Sequence, residues 1–563
     1  MRKPAPLIFS GFFILVLAAC HDKKAPATGS IDAIHLKRGD VVLCGMPDKQ
    51  FGSVAFDISG SDKVKEDFNL AVSMLHSFEY DEAEKVFAKV IDEDPKCAMA
   101  YWGVAMSNFH ALWAPPTQPE LEKGAKAVGI AQSLAPKSKR EAAYIDAIAS
   151  FYNDWDKADH HTRCIRFEKS MEKIHSTFAD DKEAAIFYAL SLDAAADLTD
   201  TTYANQKKAA AILTALYPNE PNHPGIVHYI IHSYDYPGLA ALALPAARKY
   251  ASIAPSSAHA QHMPSHIFTR LGLWDEDIHS NLVAQASAKC YAENTGIKGH
   301  WDEELHCLDY LAYSYLQKGD NVAAKEQWDY LNNIDAVSPV NFKVAYAYAA
   351  IPSRYLLENK NWKEAASLEI QPPNFSWEKY PWQKAIIHFT RLLGSVHTGH
   401  TDAARAELKQ LNTIYDTLMN QKDAYKARQV EIQMKTGEAW ILFKEGKNNE
   451  ALQLMYMAAE IEDKTEKHPV TPGEVLPARE LLGDMLLEMN RTDEALKAYE
   501  ADLKRHPNRF NGLYSAGFAA EKSKDLSKTK YYYQQLADIV NTTSKRPELE
   551  KVRMFLQHPL AYR

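Results

Sequence analysis

Residues 481–507 read LLGDMLLEMNRTDEALKAYEADLKRHP, and residues 515–533, SAGFAAEKSKDLSKTKYYY, follow the same pattern one unit later. Gly483 recurs as Gly517 and Tyr499 as Tyr533, both at an offset of 34 residues, and Pro507 closes the first unit. Within each unit, apolar residues fall at helical spacing on either side of a short polar turn, which predicts two antiparallel helices. Small residues such as Gly483 and Ala495 are expected where those helices approach closely. Large ones such as Tyr499 are expected to fill the gap to the next unit, and the proline to stop the second helix. One such pair cannot bury its apolar face alone, so the units must stack into a one-dimensional array.

The same grammar appears at Ala83, Phe87 and Pro95, at Gly319-Asp320 with Ala324 and Trp328, and at Gly446 with Ala451. From about Val64 onward helical periodicity dominates, and the stretches 119–200 and 341–430 read as divergent pairs in the same stack. The period and its small–large–proline pattern resemble the tetratricopeptide repeat. That resemblance implies an all-α solenoid, a right-handed superhelix of antiparallel helix pairs, whose concave groove binds peptides or protein partners. The expected division is an N-terminal array over 61–335, a C-terminal array over 336–545 and a tail over 546–563.

Ahead of the array, Arg2 and Lys3 precede an apolar run from Leu7 through Leu17, which closes on Leu17-Ala18-Ala19-Cys20. This is the layout of a cleaved secretory signal over 1–19, too short for a permanent membrane span. Its end resembles a lipobox, which implies cleavage before Cys20 and lipidation of its thiol. His21 in place of an aspartate then implies the outer membrane, facing the periplasm. Residues 20–60 are expected to form a tether and a short extended piece, with Val41–Gly45 and Val54–Ile58 as the strands of a small hairpin.

The formal net charge of -9 argues against nucleic acid or an anionic membrane as the main partner, leaving the lipid anchor as the expected membrane contact. After Cys20 the cysteines are Cys44, Cys97, Cys164, Cys290 and Cys307, odd in number and without a CxxC pair, so a disulfide framework is not expected. Cys97 and Cys164 read as buried apolar residues. Cys290 and Cys307 are the pair placed to bridge neighbouring helices. Trp102, Trp113, Trp274 and Trp301 read as interhelix packing, and His160-His161 as surface residues.

The histidines follow the repeat register. In tetratricopeptide arrays the second, fifth, ninth, twelfth and thirteenth residues of each first helix face the groove. With Pro255 closing one unit, His259, His262 and His266 take the second, fifth and ninth positions and Arg270 the thirteenth. One period earlier, His228 and His232 are fifth and ninth and Asp235 twelfth; one unit later, His306 is second and Asp309 fifth. His76 and His110 are both thirteenth in their own units, beside an aromatic lip that includes Trp113.

Neutral imidazole is the commonest metal ligand near neutral pH, and histidines four apart on one helix face can share an ion. His228/His232 and His262/His266 have that spacing, His259 lies on the same face, and Asp235 is placed to orient an imidazole. Nitrogen and oxygen donors without thiolate suit zinc, copper, iron or nickel. Familiar hydrolase, nucleotide and dinucleotide motifs such as HExxH, GxSxG, a Walker loop and GxGxxG are absent.

Three stretches add a narrower resemblance: Cys97–Gly103 (CAMAYWG), His228–His232 (HYIIH) and His259–Gly272 (HAQHMPSHIFTRLG). They resemble a group of bacterial tetratricopeptide-repeat lipoproteins, a likeness covering about 64 to 320 that implies a fold and leaves the chemistry open. Two functions follow. The first is a cell-envelope scaffold that holds a peptide or protein in its groove. The second is a metal-binding protein or metal-dependent enzyme built on the groove histidines.

Overall fold

The computed structural model describes Met1 and residues 26–42, 44, 50–112, 115–135, 138–197 and 200–558. The signal segment, Cys20 and Trp113 lie outside them. The described chain is an all-α solenoid of antiparallel helix pairs, running from Lys65–His76 with Tyr80–Glu93 to Phe510–Lys522 with Leu526–Ile539. A final helix, Glu548–Gln557, follows. No helix among the described residues is long and apolar enough to cross a membrane.

Eight of the turns between paired helices obey one rule. Two residues before the second helix the backbone passes through the left-handed region: Phe78, Gly272, Gly319, Lys360, Gly399, Gly446, Asn490 and Lys524 all occupy that place. Glycine or asparagine suits it at little cost, whereas Phe78, at φ 57°, holds its aromatic ring there against local preference. Several helices begin on an acidic side chain that accepts from a free backbone amide, as Asp181 does from Ala184, Asp320 from Ala323 and Asp525 from Lys528.

Close approach within a pair rests on the small residues that the pattern marked. A Cβ at Gly483 would lie 2.5 Å from the Tyr499 ring, and one at Gly517 2.4 Å from Tyr533. Tyr499 therefore covers the glycine of its own unit, where sequence reading sent it to the next one. Gly103 stands in the same relation to Phe87.

The apolar core runs along the stack as three clusters, one from Ile34 to Phe268, a small one from Leu305 to Ile351, and one from Tyr346 to Phe555. The solenoid also closes on itself. Trp274 Nε1 donates to the Asn508 carbonyl at 2.8 Å, Asn541 N to the Lys318 carbonyl at 2.8 Å, and Arg509 Nη2 to Glu358 at 2.8 Å. The connection between Asn448–Asp463 and Ala478–Glu488 reaches back to the N-terminal array. There Glu466 accepts from the Tyr203 hydroxyl at 2.7 Å and Lys467 meets Asp235 at 3.3 Å.

Two expectations for the N-terminal segment fail. Residues 54–58 and the described part of 41–45 belong to no helix or strand, and no hairpin forms among the described residues; the strand pairing present there is parallel, His300–Trp301 with Val337–Ser338. The segment acts instead as a strap, because its polar backbone finds partners on the helices. Val42 N donates to Glu82, Phe56 N to Asn69 and Ser59 N to Glu141, while the Phe56 ring packs against Phe68, Trp102 and Tyr144. The strap is also covalently fixed, since Cys44 pairs with Cys290 across 246 residues. Cys307, the expected partner of Cys290, is a buried free thiol, as are Cys97 and Cys164. Spacing along the chain pointed to a neighbouring helix, and only the strap's path brings Cys44 alongside Cys290.

Candidate metal centre

The helices Pro224–Tyr234, Ala258–His262, Pro264–Leu271 and Asp302–Gln317 converge on six imidazoles. They sort into two trios, His228/His232/His259 and His262/His266/His306, and within each the potential ligand atoms all lie within 4.8 Å of one another. Pro264 opens a new helix after a one-residue interruption at Met263, which keeps αR geometry. The break removes a hydrogen bond and leaves the helical spacing of His259, His262 and His266 nearly intact.

For His228, His262 and His266, hydrogen bonds on the far side of the ring settle which nitrogen faces inward. His228 Nδ1 donates to the His76 carbonyl at 2.6 Å. His262 Nδ1 donates to Asn281 Oδ1 at 2.7 Å, and the Asn281 amide is itself oriented by donating from Nδ2 to the Asp277 carbonyl at 2.9 Å. His266 Nδ1 donates to Asp235 Oδ2 at 3.1 Å. In the neutral ring the remaining Nε2 carries a lone pair. His262 Nε2 and His266 Nε2 then face each other at 3.1 Å with no proton between them. In the other trio His228 Nε2 lies 3.0 Å from His232 Nε2 and 3.2 Å from His259 Nε2.

Burial keeps these rings neutral: it pushes His228, His232, His259, His262 and His306 well below the usual histidine range, and His266 below it against the pull of Asp235. Converging lone pairs in a low-dielectric interior repel one another, and a cation between them removes the repulsion. Asn281, Asp235 and the His76 carbonyl accept ring protons in the way that outer partners of metal-bound histidines do.

Asp235 is tied on three sides, by Arg270 at 2.8 Å, by Lys467 at 3.3 Å and by His266. Burial acts to raise it, yet Lys467 and Arg270 hold it below the ordinary carboxylate range. Lys467 in turn is lowered to about 8 by burial, partly offset by Asp235.

An aromatic ring lies against each trio. Phe78 has its ring centroid 4.5, 5.7 and 5.6 Å from those of His228, His232 and His259. Tyr310 lies 4.9, 5.4 and 5.3 Å from those of His262, His266 and His306. The first trio is the more accessible, with His232 and His259 half-buried; the second is fully enclosed.

The remaining expected groove residues lie elsewhere. His306, read as a groove contact, is the third member of the second trio. Asp309 turns away to Arg354 at 3.4 Å, and burial raises it to about 6. His110 pairs with Glu120 at 3.3 Å and packs edge-on to Tyr80, outside both trios. His76 is completely buried: its Nε2 donates to Glu183 at 2.9 Å and its Nδ1 accepts from the Tyr229 hydroxyl at 3.0 Å. His223 Nε2 donates to the other oxygen of Glu183 at 2.9 Å, which completes a third cluster that the register did not include. His160, expected at the surface, is half-buried against Cys164 at 3.4 Å.

Sequence reading missed Asn281, Phe78, Glu183 and Lys467. Asn281 sits on a second helix of a pair and Lys467 on a distant connection, so the groove register carried no signal for either. Phe78 is marked only by its place in the turn.

Comparison with protein-family models and with curated proteins gives no match. Among solved structures, the chain is similar to a human IFIT1 dimer with m7Gppp-AAAA at 12% identity and TM-score 0.34, over 91% of this chain and 99% of that one. A P58(IPK) TPR domain gives 14% identity and TM-score 0.20 over 67% and 99%. A Naa15/Naa10 complex bound to HypK-THB gives 11% and 0.24 over 89% and 92%. What those proteins bind has no bearing at this level of likeness.

Proposed function

We propose that this protein binds transition-metal ions, one in each histidine trio, inside a tetratricopeptide-type solenoid. The observation that carries the reading is the His262–His266 pair, whose Nε2 atoms face each other at 3.1 Å while both Nδ1 protons are committed to Asn281 and Asp235. Three neutral imidazoles leave a position open on each ion, as catalytic sites do and closed structural sites do not. The test is elemental analysis of the form beginning at His21, purified without a histidine tag, beside the His262→Ala/His266→Ala variant. About one ion per trio in the parent and loss of the second trio's ion in the variant are expected. A protein still empty after incubation with zinc, copper and iron overturns the reading.

A second reading, a scaffold for a peptide or protein partner, is favoured by a separate pocket in the C-terminal array. Tyr346, Trp382, Phe389, Gln429, Gln433 and Glu462 line a small cavity of about 40 Å³. Gln433 Oε1 and Thr436 Oγ1 are buried there without a hydrogen-bond partner, and a bound amide would supply one. Peptide-array binding that disappears in Gln429→Ala/Gln433→Ala is expected; array binding that persists in the variant overturns this assignment.

We place both functions in the cell envelope, on a lipid carried by Cys20. The Cys44–Cys290 disulfide supports export, because such bonds persist in oxidising compartments. Cys20→Ser should move the protein from the outer-membrane fraction to the soluble one, and an unchanged distribution excludes the anchor.

A further inference from the structure

The two trios share a backbone. His259 belongs to one and His262 and His266 to the other, yet all three sit on the stretch Ala258–Leu271. Steps of three and four residues put successive side chains roughly 5–6 Å apart at Cβ. Two ions placed here would be neighbours.

The donor set narrows the metal. Neither trio includes a carboxylate, and the nearby Asp235 is already occupied by Arg270, Lys467 and a ring proton of His266. Paired iron or manganese ions in helical proteins rely on carboxylates that bridge and neutralise them. With neutral nitrogen ligands alone, two divalent ions would bring four uncompensated charges into a buried site, against two for a pair of Cu(I) ions. Imidazole also suits copper, which stands highest in the affinity order of divalent first-row metals.

An unused donor points to a further ligand. The Tyr310 hydroxyl is completely buried, lacks a hydrogen-bond partner, and belongs to the ring that packs on all three imidazoles of the second trio. A buried orphan hydroxyl is costly unless something arrives to accept its proton. Because its ring borders the second trio, this hydroxyl is a candidate donor to a small molecule with oxygen acceptors bound there. Phe78 covers the first trio and supplies an apolar wall against water.

Resting on the metal-binding reading above, we propose that the two trios form one coupled dicopper centre whose co-substrate is dioxygen, with the Tyr310 hydroxyl as its hydrogen-bond donor. Each Cu(I) gives one electron, dioxygen is reduced by two electrons to peroxide held between the ions, and both ions end as Cu(II). That step requires no proton and no further reductant.

The test loads the metal-free full-length soluble protein with Cu(I) under nitrogen, then admits dioxygen. About two copper ions per chain and about one dioxygen consumed per pair are expected. The oxidised centre should be silent in electron paramagnetic resonance, although its X-ray absorption edge reads Cu(II), because the two spins cancel. His306→Ala should hold one copper and show an isolated Cu(II) signal. Tyr310→Phe, which removes a single oxygen atom, should retain both coppers and take up dioxygen at least about tenfold more slowly, the rate equivalent of one lost hydrogen bond. Two full-intensity independent Cu(II) signals, or Cu(I) that ignores dioxygen, would overturn the coupled centre while leaving metal binding in place. A protein that takes no metal at all defeats the earlier reading instead. Unchanged uptake in Tyr310→Phe would overturn the role of its hydroxyl.

Discussion

Two buried clusters in this molecule have nearly the same ingredients and opposite proton arrangements. In His76–Glu183–His223, each inward Nε2 carries a proton and donates it to a carboxylate oxygen at 2.9 Å. Burial acts to raise Glu183, but His223 and His76 hold it well below the carboxylate range, so an anion sits between two donors. In the second trio His262 and His266 turn the other way: their protons point outward to Asn281 and Asp235, and their lone pairs point inward. In both clusters the potential ligand atoms lie within 4.8 Å of one another. In the first an anion accepts from both inward nitrogens; in the second the facing Nε2 atoms of His262 and His266 have no such partner, and the proposed cation would supply it. Proximity of histidines is therefore weak evidence for a metal, and the direction of the ring protons is strong evidence.

The largest expected difference follows from removing the anion. Glu183→Gln leaves one of the two imidazole donors facing an amide donor and should lower stability by about 3 kcal/mol, the scale of hydrogen bonds to a charged group. Urea unfolding would show it, with metal content unchanged. A loss of metal in that variant would mean that the two clusters are one system.

Next comes the outer partner of the second trio. Asp235→Asn keeps the shape but weakens the orientation of His266, and metal affinity should fall about 10–100-fold by competition with a chelator, while the fold persists. Unchanged affinity would remove Asp235 from the centre.

Acid should separate the clusters as well. His228, His262 and His306 are lowered by burial, so the unfolded chain binds protons first; stability of the metal-free protein is full above about pH 6.5 and falls below it. The slope is about 1.4 kcal/mol per pH unit for each such histidine. Glu183 is depressed, so its contribution is full above about pH 4.5 and fades below that value. Denaturant midpoints between pH 8 and pH 2 should show two steps, and bound metal should shift only the upper one. A single step near pH 4 would contradict the neutral trios.

The smallest effect lies far from both clusters. Gly483→Ala places a methyl 2.5 Å from the Tyr499 ring, and overpacking should outweigh the gain in helix propensity by about 1 kcal/mol, with no change in metal. A neutral result would show that the pair can widen there.

The repeat and its helix pairs were legible in the sequence, because a 34-residue period with glycine opposite tyrosine describes a contact local to one unit. The groove register also picked out His228, His232, His259, His262, His266 and His306, since helical spacing alone puts them on one face. What the sequence could not carry was the partition into two trios, the sorting of His76 with Glu183 and His223, the turn of Asp309 toward Arg354, and the pairing of Cys44 with Cys290. Those depend on how successive pairs stack, on the path of the strap, and on a connection from the far end of the chain that delivers Lys467 to Asp235. Above all, whether a histidine donates or accepts is set by the atom behind it. For His262 that atom belongs to Asn281, on a different helix, whose position is a property of the tertiary structure alone.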